Sequence, residues 1–198
     1  IITGFVNFHF PSDNIFCYLE LSTDDSRANF TDLKAHWNHA VGYVIGLQKF
    51  GVFDNKNIFM GLEYLSTINT TNTMNDSFYR GSMYTPNFYN RSLYEFSSFK
   101  GRRWAAHSGS DSDDRIILIG YHDGVSSMIL SYNFERHGVI SKDFPEIKKQ
   151  ISFSITNQIN NFIFTLYFEN DKVQNFNFVE SSTLKKSNVL GFQLVYIY

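Results

Sequence analysis

The chain has 198 residues, 43 % hydrophobic and 18 % aromatic, with 18 % charged and a formal net charge of −2. That suffices for one sizeable domain and is too hydrophobic and too sparsely charged for disorder. Near-neutral charge and scattered Lys and Arg exclude a duplex nucleic-acid partner, which needs a basic face to replace counterions.

With 21 Phe and 12 Tyr against 3 Pro, the composition favours strands. The hydrophobic pattern has period 2 almost throughout. "GFVNFHF" sets Val6, Phe8 and Phe10 on one side, and after a Pro11-Ser12-Asp13 turn "NIFCYLELS" forms the next strand. Cys17 alternates there with Ile15, Leu19 and Leu21, as a small buried hydrophobe would, and a single cysteine allows no intramolecular disulfide. Residues 30–44, "FTDLKAHWNHAVGYV", carry a capping residue at Thr31 or Asp32 and helical spacing at Leu33, Trp37 and Val41, which predicts a short helix. "NIFMGLEYL" aligns Ile58, Met60, Leu62 and Tyr64.

A long irregular loop follows at about 66–100, and the polar run "GRRWAAHSGSDSDDR" at 101–115 reads as a strand connection. "RIILIGY" is apolar on both faces, as a central strand would be, and His122-Asp123-Gly124 marks the turn into "SSMILSYNF". A second short turn is expected over 144–150. "QISFSIT", "NNFIFTLYFEN", "KVQNFNFVE" and "NVLGFQLVYIY" are four further strands separated by polar turns.

Many short strands without a β–α rhythm predict an all-β fold: one antiparallel β-sandwich domain over 1–198, with at most one or two short helices. A closed β-barrel is the runner-up. The last strands, "FIFTLYFENDKVQNFNFVE" and "GFQLVYIY", resemble in cadence a galectin or concanavalin-like domain, which implies jelly-roll or sandwich architecture. The galectin sugar motif H-x-N-x-R does not carry over, because "SYNFERHG" has Asn133 and Arg136 at another spacing.

Catalytic constellations are lacking, so an enzyme is the last reading. There is no G-x-S-x-G, no phosphate-binding glycine pattern and no strand with a carboxylate pair for glycoside hydrolysis. His36 and His39 are three apart but have no third metal ligand nearby.

Two stretches suit recognition. In the first, Trp104 offers a stacking face for a pyranose, and Arg102, Arg103 and His107 offer hydrogen bonds to its hydroxyls. Asp111, Asp113 and Asp114 add carboxylates that would suit a hard cation such as calcium, although no cofactor is required. In the second, Tyr79, Arg80, Tyr84, Tyr89 and Arg91 combine large contact area with hydrogen bonding at low entropy cost.

Asn29, Asn69, Asn75 and Asn90 stand in glycosylation sequons, which suggests a secreted or surface-exposed glycoprotein. There is no apolar run of about 20 residues, so no membrane span is expected. The function expected is a non-catalytic binding module for a glycan or protein surface. The alternatives are a self-assembling structural subunit, itself a homo-oligomer, and a carrier of an apolar ligand.

Overall fold

The computed structural model describes residues 2–23, 34, 41–68, 98–99, 102–103, 111–140, 142–181 and 183–197. The strands are β1 (Ile2–Phe10), β2 (Ile15–Thr23), β3 (Val41–Val52), β4 (Asn55–Ser66), β5 (Ser98–Phe99), β6 (Arg102–Arg103), β7 (Ser112–His122), β8 (Ser126–His137), β9 (Glu146–Ile159), β10 (Phe162–Gln174) and β11 (Lys185–Tyr196). Nine of them form one sheet in the order β1-β2-β3-β4-β7-β8-β9-β10-β11, and β5 and β6 form a separate two-stranded ladder. Every neighbouring pair in the large sheet is antiparallel, so the sheet is a meander in which each strand is followed by its spatial neighbour.

The all-β expectation therefore holds. The sheet is open: its edges are β1 and β11, so the described strands do not close into the barrel named as runner-up. Nor do they divide into two facing sheets, the feature that defines a sandwich. Three local expectations are corrected. "KVQNFNFVE", expected as a strand of its own, is divided: Lys172–Gln174 end β10, and Phe176–Phe178 form a 3-10 turn. Val41–Val44, placed in a helix by spacing, begin β3, because the β-branched residues and Gly of "VGYVIG" pair along β2 from Thr23. The turn expected over 144–150 gives way at Glu146, where β9 begins opposite His137.

The connections differ sharply between the two ends of the sheet. At one end they are residues 11–14, 53–54, 123–125 and 160–161, none longer than four residues. Positive φ lets them be tight: Phe53 and Asp54 both lie in the left-handed region, at 55° and 58°, as a type I′ hairpin requires. At the other end the connections are residues 24–40, 67–111, 138–145 and 175–184, none shorter than eight.

The described residues show no hydrophobic core. Among the described residues Leu65 is the one buried hydrophobic side chain.

Candidate functional site

Residues directly opposite in neighbouring strands project from the same face of a sheet. The ladder through Ile117 therefore collects Phe8, Cys17, Leu47, Leu62, Ile117, Tyr132 and Ile151 on one face. The next ladder on that face collects Phe10, Ile15, Met60, Ile119, Leu130, Phe153, Phe168 and Leu190, broken only by Lys49. Beyond it Leu166 pairs with Phe192, Phe164 with Leu194 and Phe162 with Tyr196. These side chains are half open to their surroundings: Phe8 is 53 % exposed, Leu62 50 %, Ile117 50 % and Leu130 48 %. Cys17 sits among them at intermediate exposure, on the apolar face as its alternation predicts but not buried. A shallow trough of about 520 Å³ opens on this face over Ile45, Leu47, Leu62, Tyr64, Arg115 and Ile117.

The apolar band crosses the ladders obliquely. On β2 it runs from Ile15 to Leu21, centred on position 18, and the pairing chain from Tyr18 leads to Ser187 of β11. On β11, however, the band runs from Leu190 to Tyr196, centred about six residues further along. At about 3.3 Å per residue and about 4.8 Å per strand, that offset is an inclination of about 30°. Polar side chains fill the vacated corner: Lys149, Lys172 and Lys186 lie opposite one another, as do Asn170 and Asn188.

The opposite face is mixed, with Phe5, Phe16, Phe59, Ile116, Leu118 and Ile129 beside polar groups. On β8 to β10 it carries hydroxyls and amides, with Ser131 bonded to Ser152 at 2.6 Å and Thr156 to Thr165 at 3.0 Å. Asn133 Nδ2 donates to Glu135 Oε1 at 2.7 Å, and His137 Nε2 lies 3.0 Å from Glu135 Oε2. Lys148 Nζ reaches Glu135 at 3.7 Å and Asp171 at 3.9 Å. On β2 to β4, Tyr18 donates to Glu63 across the sheet while its ring fills the space over Gly46, where a Cβ would collide with it. Tyr167 covers Gly191 in the same way.

At the end with long connections the polar residues are buried. Asp111, Ser112, Asp113 and Asp114, expected in an oxygen-rich loop, are all within 2 % of complete burial, and the last three belong to β7. Asp113 faces Arg136 of β8, which grips it through Nε at 2.8 Å and through Nη2, while Arg115 Nη2 adds a bond at 3.3 Å. The Arg115 guanidinium also lies over the rings of Tyr64 and Phe134, at 5.8 and 5.6 Å. Asp111 accepts the Ile140 N–H at 3.1 Å and so ties the β4–β7 connection to the β8–β9 turn. Asp114 projects to the other face, in the ladder of Leu65 and Glu135. The three aspartates thus point to different partners, and the described residues include no group of three or more His, Cys, Asp or Glu disposed to hold a metal ion.

Of the other candidates, Arg102 and Arg103 form β6 opposite Ser98 and Phe99. Trp104, His107, Tyr79, Arg80, Tyr84, Tyr89, Arg91 and the sequons at Asn29, Asn69, Asn75 and Asn90 lie outside the described residues. So do His36 and His39. By position in the chain, all of these fall within the segments 24–40 and 67–111. Sequence reading missed the Asp113–Arg136 pair and the Glu135 cluster. Its only available signal was a polar residue at every second position of "SYNFERH", with Arg136 between two of them.

A scan against family models and a search of curated proteins find nothing that matches this chain.

Proposed function

We propose that the nine strands are a stretch of wall of a membrane-spanning β-sheet protein, with the long-loop end as a surface-exposed recognition site for glycan or glycoprotein. The observation that carries this reading is the half-exposed apolar band over all nine strands, set against an opposite face where hydroxyls, amides and carboxylates mix with apolar side chains such as Phe5, Leu118 and Ile129. In water such a surface is an aggregation hazard; in a bilayer it is the lipid-facing side. The strands, 9 to 14 residues long, are long enough to cross hydrocarbon when tilted. The oblique course of the band supports it, because a level membrane cuts tilted strands on a diagonal. Short turns at one end and long connections at the other match the habit of outer-membrane-type sheets. No helix among the described residues is long and apolar enough to cross a membrane, so the expectation of no span rested on helices alone.

The recognition half of the proposal rests on topology. The chain segments that contain Trp104, the loop tyrosines and the paired arginines leave and re-enter the sheet at one end, which a membrane wall would present to one compartment. The test has two parts. Alkaline carbonate extraction should leave the protein in the membrane pellet, and a glycan array should give a selective hit lost on Trp104→Ala. Release into the supernatant would instead favour a sandwich or assembly whose apolar face is covered by protein. Copurifying lipid in that soluble fraction would favour the carrier, with the trough over Leu47 and Leu62 as its seat.

A further inference from the structure

We infer that β1 and β11 each pair with a further antiparallel strand, supplied by an odd number of membrane strands outside these nine and not by a second copy of them. The inference rests on the membrane reading and goes beyond it. Unpaired N–H and C=O groups along a sheet edge cannot be tolerated in hydrocarbon, so both edges need partners. Both edges are built to be covered. Leu190 is 73 % exposed and Phe192 66 %, and neither β1 nor the stretch Leu190–Tyr196 carries Lys, Arg, Asp, Glu or Pro to deter pairing.

Parity then selects the partner. In an all-antiparallel order of nine strands the first and the ninth run the same way, so β1 and β11 are co-directional. Closing the sheet on itself would make one parallel seam. A second copy inserted in the same orientation could offer only co-directional edges, again giving parallel seams. A copy inserted the other way up would put its long connections on the opposite side of the membrane. An odd number of intervening strands makes every seam antiparallel and the total even, the rule for single-chain bacterial barrels.

The test uses the full-length protein in its own membrane. Amide hydrogen exchange is compared between β1, β11 and the central β7, and a Cys17→Ser background carrying Phe8→Cys and Phe192→Cys is treated with a short bis-maleimide. The expected result is exchange at β1 and β11 as slow as at β7, with no β1–β11 cross-link within or between copies. An intramolecular link would show direct closure, a cross-linked dimer would show a second copy, and fast exchange at either edge would show an open sheet; each overturns the inference. If carbonate extraction releases the protein, the membrane reading itself has failed. If the protein stays in the membrane but one of these three results appears, only the closure inference has failed.

Discussion

Arg136 and Asp113 show how one residue pair fixes the long-loop end. Asp113 is 1 % exposed and the Arg136 side chain about a third exposed. Removing the arginine leaves a buried carboxylate with only the longer bond from Arg115, whereas removing the carboxylate leaves an arginine that water can still reach. Arg136→Ala is expected to cost about 3 kcal/mol and Asp113→Asn about 1 kcal/mol, read from urea unfolding of the protein folded in lipid. Equal costs would mean that the two charges are solvated alike. At the opposite end, Asp123 accepts the Ser126 N–H at 2.7 Å and the Val125 N–H at 3.0 Å. These bonds, with a smaller contribution from the Tyr121 hydroxyl, hold its carboxyl below the usual carboxylate range. A depressed folded pKa means that the turn gains stability above the unfolded value and loses it as pH falls through the folded one. The protection factor of the Ser126 amide, its exchange relative to the free-peptide rate at the same pH, should therefore be high at neutral pH and fall only in strong acid. Asp123→Ala should lower that factor at neutral pH.

At the scale of the strand, alternation was legible in the sequence and its meaning was not. The patterns "GFVNFHF" and "SSMILSYNF" predicted strands with one apolar face, and β1 and β8 are such strands. Period 2 says that a face is apolar but not whether protein or lipid covers it, so a sandwich was the ordinary inference. The acidic run 111–114 misled for a different reason. Composition marks it as loop, yet Ser66 and Arg136 stand opposite Asp113 and supply the ladder and the charge that draw it into β7. The Tyr18 ring on Gly46 could not be read locally either, because the two residues meet only through the β2–β3 register. Gly46→Ala should displace that ring and break its bond to Glu63, destabilising the protein by about 1–3 kcal/mol in the same unfolding assay. A wild-type midpoint for Gly46→Ala would show that the ring does not rest there in the folded protein.

For the whole molecule, the two faces should answer differently to charge. Leu62→Arg and Ile117→Arg place a guanidinium in the middle of the apolar band and should each cost about 2–4 kcal/mol in a bilayer. Ser152→Arg, on the hydroxyl-bearing face, should fold with nearly unchanged stability. If all three are tolerated alike, the band does not face hydrocarbon.

The most direct measurement is a nitroxide scan along β8, one residue at a time from Met128 to Phe134, in bilayers and on a Cys17→Ser background. Accessibility to lipid-dissolved oxygen should rise and fall with period two, high at 128, 130, 132 and 134 and low at 129, 131 and 133. A water-soluble nickel chelate should not reach the high positions. An oxygen profile without that alternation, or chelate access along the apolar positions, would contradict a membrane wall and return the sheet to the interior or surface of a water-soluble assembly.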